Sequence, residues 1–172
     1  MGFSFVKISK LIAKVPQIPG RMQFIAEKRS NNAKVFVDFA HTPDALEKIL
    51  IEARKMTTGS LHVLFGCGGD RDRSKRSKMG RISIKYADKV IVTDDNPRYE
   101  SPKKIRQEII GQEKLIINIP NRKTAIESAI KKLKQSDLLI IAGKGHEKYQ
   151  IIKNIYHKFD DAKIAREICA QL

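Results

Sequence analysis

Lys89-Val90-Ile91-Val92-Thr93-Asp94-Asp95-Asn96-Pro97-Arg98 decides how the chain folds. Its apolar half, Val90-Ile91-Val92, shows no polar alternation, the pattern of a strand covered on both faces. Its polar half sets two carboxylates, an amide and a planar cation directly behind that strand. Open α/β sheets bind ligands beyond the carboxyl ends of their strands, so the stretch predicts both a parallel sheet and the edge at which it acts. Asn96-Pro97 fixes an extended turn, because proline bars the residue before it from the helical region. Arg98 is then placed to grip a carboxylate through paired hydrogen bonds. A zwitterionic small molecule fits such a turn; a type I turn with a solvated arginine is the plain alternative.

The same strand-then-loop pattern recurs on both sides. Val35 to Ala40, Leu61 to Phe65, Leu115 to Ile119 and Leu138 to Ala142 read as strands, and Arg21 to Ile25 as an edge strand before a turn over Lys28 to Asn32. Thr42-Pro43 opens a helix, since threonine caps and proline tolerates the first helical position; Ala45, Leu46, Ile49, Leu50 and Ala53 then follow at helical spacing. Further helices are expected near Ser77 to Tyr86, from Ser101-Pro102 to Ile110 with Gly111 as the stop, and from Thr124 to Leu133. Gln150-Ile151-Ile152 and Ile155-Tyr156-His157 flank Lys153-Asn154 and predict an antiparallel hairpin, after which Asp160 or Asp161 caps a last helix. This alternation predicts an α/β, Rossmann-like fold with a mainly parallel sheet, helices on both faces and a C-terminal antiparallel hairpin.

Three more loops fall at the same edge. Gly66-Cys67-Gly68-Gly69-Asp70-Arg71-Asp72 has the position of a phosphate or carboxylate cradle but matches neither a Walker A loop nor GxGxxG. Its glycines serve equally to turn the chain, and Arg71 equally to form a surface ion pair. In Ala142-Gly143-Lys144-Gly145-His146-Glu147, Lys144 and His146 suit an anion and the Gly143 carbonyl an amine, while Glu147, with Asp95, suits an ammonium group. Asp38 and His41 close the first central strand, where an acid commonly receives ribose hydroxyls. His62 and His157 sit in strand patterns and read as ordinary strand residues. No His, Cys and carboxylate set has metal-ligand spacing.

A chain of 172 residues with 41% hydrophobic and 31% charged content is one folded domain's worth rather than a disordered segment. A net charge of +15 favours an anionic partner or reflects a lysine-rich source composition. Cys67 and Cys169 form no disulfide framework, which suits a reducing cytoplasm, and Cys67 reads as a small loop residue rather than a nucleophile. No apolar run approaches the ~20 residues that span a bilayer. Met1 to Val6 lacks the basic region and cleavage site of a signal peptide. The chain is therefore expected to be cytoplasmic, without a membrane partner.

These four loops, in this order, resemble the C-terminal domain of the Mur ligases, and most of all its diaminopimelate-adding branch. The likeness runs from about Pro19 to Leu172. It implies an ATP-dependent acid–amino-acid ligase in which ATP phosphorylates the carboxylate of UDP-MurNAc-L-Ala-D-Glu and the amine of meso-diaminopimelate attacks the acyl phosphate, in peptidoglycan biosynthesis. It implies that Arg71, Asp95, Asn96, Pro97, Arg98, Gly143 and Glu147 hold diaminopimelate, with Arg98 at the distal carboxylate and Gly143 and Glu147 at the distal amine. Arg21, Asp38 and His41 would touch the nucleotide; no residue of the chain would be catalytic. The family's P-loop, Mg²⁺ ligands and modified lysine lie in a central domain without counterpart in this sequence. Residues 1-20 accordingly resemble the tail of that domain plus a hinge, residues 21-172 the C-terminal domain, and the chain is expected to be inactive alone. The competing reading is a nucleotide- or nucleic-acid-binding α/β module without catalysis; scattered lysines and arginines with no aromatic platform argue against a nucleic acid partner.

Overall fold

The computed structural model describes residues 4–12, 14–28 and 31–172. Arg29 and Ser30 of the expected turn lie outside the described residues, as do Met1 to Phe3 and Ala13 of the N-terminal segment. A short helix, α1 (Phe5–Ile12), precedes β1 (Gln23–Lys28), β2 (Ala33–Asp38), α2 (Pro43–Lys55), β3 (Leu61–Phe65), α3 (Ser74–Tyr86) and β4 (Lys89–Val92). Then come α4 (Pro102–Ile110), β5 (Ile116–Asn118), α5 (Arg122–Lys131), β6 (Leu138–Ala142), the hairpin β7 (Tyr149–Ile152) and β8 (Ile155–Lys158), and α6 (Asp161–Ala170).

The six-stranded sheet has the order β1-β2-β6-β3-β4-β5, and every pairing is parallel except that of the edge strand β1 with β2. Chain order and sheet order part company at β6, which inserts between β2 and β3 after the chain has travelled out to β5. The loops after β2, β3 and β6 therefore meet over a topological switch point. Both central strands, β3 and β6, are buried along their whole length, β6 as an unbroken apolar run and β3 with His62 as its one polar residue. One face packs against α2, α3 and α4 through Leu46, Leu50, Met79, Ile105 and Ile109; the other packs against α5 and α6 through Ile126, Ile130, Ala165 and Ile168.

Local chemistry sets the helix starts. The Thr42 hydroxyl accepts from the Ala45 amide and the Asn121 side chain from the Thr124 amide, contacts worth about 1 kcal/mol each. Asp160, of the two acids expected to cap α6, accepts from the Lys163 amide. The expected boundaries shift at three places. The edge strand runs Gln23–Lys28, with a bulge between Phe24 and Ala26 that the alternation did not announce. Helix α3 starts at Ser74, three residues early, because its buried face carries Arg76, Gly80 and Ser83 and so breaks the apolar period. Helix α5 starts at Arg122 rather than Thr124, for a reason given below. Among the described residues no helix is long and apolar enough to cross a membrane.

Candidate functional site

The carboxyl ends of β2, β3, β4 and β6 open on a cleft of about 410 Å³. Of the residues singled out in the sequence, His41, Arg71, Asp95, Asn96, Arg98, Gly143 and Glu147 all line it. Arg21 and Asp38 stand beside it, and Pro97 is buried in its wall.

Asn96 organises the anionic side. Its side-chain oxygen accepts from Lys144 Nζ at 2.8 Å and the Ile151 amide at 3.0 Å, while its amide nitrogen donates to Glu147 at 2.8 Å. Lys144, fully buried, also donates to Glu147 at 3.0 Å. The sequence suggested Lys144 as an anion ligand; with both contacts spent internally it instead fixes the Asn96 and Glu147 rotamers. Asp95 accepts from its neighbour's amide through Oδ1, and its Oδ2 lies 4.0 Å from Arg122 Nη1. A Cβ on Gly143, whose φ is +108°, would stand 3.1 Å from that same Oδ2, so glycine there serves both the turn and the space in front of Asp95.

Arg98 forms the cationic side. Its φ of +50° lies in the left-handed region, unusual for a side chain of this size. Two backbone bonds hold it there: its amide donates to the Ile151 carbonyl at 3.1 Å and its carbonyl accepts from the Lys153 amide at 2.7 Å. The hairpin thus closes over the turn. Arg98 Nη1 donates to the Gly69 carbonyl at 2.9 Å and to the Asn96 carbonyl at 3.5 Å, which aims the guanidinium along the cleft and leaves Nε and Nη2 to solvent or ligand. Arg71 is exposed and, among the described residues, joins no ion pair, so it too is available.

The glycine loop after β3 supports these groups. Its Gly69 amide donates to the Asn96 carbonyl and its Asp70 amide to Glu100. A Cβ on Gly69 would meet the Pro97 carbonyl at 1.9 Å, so close approach to the Asn96-Pro97 turn is what the glycine provides. Arg76, buried in α3, clamps the assembly: it donates twice to Glu100 at 2.9 and 3.0 Å, to Glu108 at 2.6 Å and to the Gly68 carbonyl at 3.1 Å. That bidentate pair holds the Glu100 carboxyl at about 2, far below its usual value. Cys67 is buried against Met79, and burial pushes its thiol up to about 12; it is no nucleophile.

On the β2 side, Asp38 spends both oxygens on backbone amides, those of Ala40 and Met22, each at 2.7 Å. It ties the start of the domain to the sheet edge, a structural duty beside the ribose contact expected of it. Phe39, not singled out in the sequence, carries the Arg21 guanidinium 4.5 Å above its ring and has His41 and His146 at 4.5 and 5.4 Å. Arg122 was missed as well. It is fully buried behind Asp95 and paired with Asp161 at 2.7 and 2.9 Å, yet its Nη1 has no hydrogen-bond partner. The one signal for it is a cation at the positive end of a helix, a place that needs a partner. Among the described residues no group of three His, Cys, Asp or Glu side chains is placed to hold a metal ion.

Residues 20–145 match the family model described as Mur ligase, glutamate ligase domain. The chain is 52% identical over 98% of its length to the UDP-N-acetylmuramoyl-L-alanyl-D-glutamate--2,6-diaminopimelate ligase of Rickettsia felis, covering 32% of that protein. It is 45% identical over 98% of its length to the ligase of the same name from Alkaliphilus oremlandii, covering 35% of it. The chain thus spans about a third of the length of the curated relatives it matches. A solved structure of a ligase of that name superposes with a TM-score of 0.83 at 36% identity, over 98% of this chain and 35% of that one. The UDP-N-acetylmuramate-alanine ligase of Thermotoga maritima shares the fold, with a TM-score of 0.64 at 17% identity. The family match, the relatives and the fold make this chain a member of the Mur ligase C-terminal domain family.

Proposed function

We propose that the chain is the amino-acid-receiving domain of an ATP-dependent ligase that joins meso-diaminopimelate to UDP-MurNAc-L-Ala-D-Glu in the cytoplasm. The observation that carries this reading is the polarity of the cleft: Arg98 and Arg71 on one side face Asp95 and Glu147 on the other, with Gly143 between. A diamino diacid has charges of both signs at both ends and needs such a two-sided site. Arg98, already oriented by Gly69, takes the distal carboxylate; Glu147 and the Gly143 carbonyl take the distal amine; Asp95, Asn96 and Arg71 complete the pocket. Because these groups are locked by Lys144, Arg76 and the hairpin before any ligand arrives, little ordering cost remains on binding. Pro97 shapes the turn and touches the ligand only through its backbone.

Arg21, His41 and the Phe39 face offer a stacking and cationic surface to the nucleoside end of ATP, with Asp38 holding that surface in register. Among the described residues no group of carboxylates is placed to hold Mg²⁺, and the glycine loop spends its Gly69 and Asp70 amides on Asn96 and Glu100. We assign the phosphate loop, the metal ligands and the phosphorylation step to protein outside residues 1–172. Residues 1–20 are read as the hinge and the end of that second unit. Every apolar side chain described in α1 is exposed, Phe5 at 84% and Ile12 at 64%, as expected of a helix made to pack on something else.

The test is reconstitution. The 172-residue chain alone, with ATP, Mg²⁺, diaminopimelate and the UDP-muramyl dipeptide, should form no amide, because the charge of phosphoryl transfer is left unmet. Joined to the two N-terminal domains of a diaminopimelate ligase, it should give ATP-dependent ligation. Turnover by the chain alone would overturn the division of labour, and no turnover by the joined protein would overturn the function.

A further inference from the structure

A second hollow, of about 420 Å³, opens at the other end of the strands, where β3, β4 and β5 begin and α5 ends. Ile91, Ile117 and Ala129 give it an apolar floor. Three lysines from two parts of the chain stand around it: Lys89 at the start of β4, and Lys132 and Lys134 in the connection from α5 to β6. Among the described residues none of the three joins an ion pair, although the neighbouring Lys131 does, with Glu127. The single carboxylate in the lining, Asp137, is engaged by two backbone amides and His62. Its Oδ1 accepts from the Ser60 amide at 2.8 Å, and its Oδ2 accepts from the Lys134 amide at 2.8 Å and from His62 Nε2 at 3.1 Å. Three lysines against one carboxylate leave the hollow's lining net positive.

His62 supplies the polar anchor. It is 7% exposed and lines the hollow. A carboxylate only accepts, so the proton of the imidazole sits on Nε2, and Nδ1 is left as an acceptor. Nδ1 has no hydrogen-bond partner among the described residues. Burial lowers the pKa of the ring against the opposing pull of Asp137, which preserves this neutral, accepting form near pH 7.

We propose that this hollow binds a small organic anion with an apolar body and a hydroxyl or amino donor. Lys89, Lys132 and Lys134 hold the charge, His62 Nδ1 receives the donor, and Ile91, Ile117 and Ala129 cover the body. The volume falls within the roughly 300 to 1,000 Å³ of small-molecule sites, and a few convergent polar groups on an apolar floor are their usual make-up. The site shares no residue with the cleft at the opposite edge, and the proposal stands whether or not the ligase reading holds.

The experiment is a nuclear magnetic resonance titration of the isotope-labelled 172-residue chain with 4-hydroxyphenylacetate, with phenylacetate lacking the donor and tyramine lacking the anion. The expected result is saturable movement of the Ser60, His62, Lys89, Ile117 and Lys134 amides and of His62 Nδ1. Phenylacetate should bind more weakly and tyramine not at all. His62→Phe risks misfolding, so the exposed pair K132E/K134E carries the mutational arm, with affinity falling about tenfold from the lost and reversed charges. The proposal is overturned by no saturable shift at ~10 mM, where even a millimolar site fills. Shifts confined to the Gly66–Arg98 cleft, tyramine binding as well as the acid, or an indifferent K132E/K134E variant would each overturn it too.

Discussion

In the proposed site Arg98 would join selectivity to backbone geometry: its guanidinium is aimed by Gly69 and its main chain is fixed by Ile151 and Lys153. Lysine differs from diaminopimelate in lacking the distal carboxylate, so Arg98→Ala in the reconstituted ligase should act on one substrate and spare the other. The expected loss for diaminopimelate is roughly 2 to 5 kcal/mol, or about 30-fold to several thousand-fold in kcat/KM, because a carboxylate is left unpaired in the cleft. Lysine turnover and the KM for ATP should scarcely move. Steady-state kinetics with both amino acids checks this, and an equal loss for both would make Arg98 structural. The placement of this side chain was legible because proline and strand position together fix the turn. Lys144 was not, because a lysine in a glycine-rich loop reads as a free cation unless one knows that Asn96 and Glu147 will enclose it.

Strands β3, β4 and β6 and the starts of α2 and α4 could be read directly, since an unbroken apolar run and a capping residue before proline are local signals. The start of α5 falls two residues before the expected Thr124: Asn121 caps it locally, but the helix's first residue is a cation held by another helix. Arg122 at that position has the wrong charge for the helix dipole and no exposure, and it is tolerated only because Asp161, the first residue of α6, lies against it. Asp161→Ala should therefore cost about 3 to 5 kcal/mol, the usual price of stranding one member of a buried pair. Chemical denaturation would measure it. A loss below ~1 kcal/mol, the range of exposed pairs, would contradict the burial argument. The helix-to-helix bond also explains how α6, remote in sequence, bears on Asp95 through the opposite end of the same guanidinium.

The whole molecule carries +15 at neutral pH, and acid adds to that repulsion as carboxylates protonate. Glu100 matters most in this respect. Its carboxyl titrates at about 2 in the fold against 4.5 ordinarily, chiefly because Arg76 donates to it. The unfolded chain therefore binds more protons between those values, so the stability Glu100 contributes is complete above about pH 4.5 and lost as the pH falls towards 2. Thermal melting across that window should show Glu100→Gln less stable than the parent at pH 7 and with a shallower acid slope. Parallel curves for the two proteins would rule the pairing out as the source. The layer order of the molecule was readable from alternation alone, whereas the Arg76–Glu100–Glu108 cluster joins residues up to 32 positions apart on loops and helices with no shared period. The hairpin is anchored at one side only: β7 and β8 pair with each other, β7 reaches the Asp95–Arg98 turn through the Arg98 bridge and the bonds of Gln150 and Ile151, and β8 is exposed throughout. Two-stranded ribbons of this kind are marginal in water and open as a unit before a core does. Heating should accordingly release the backbone of Arg98 while the central sheet is intact, giving a temperature range in which the protein is still folded but the proposed carboxylate grip has come undone.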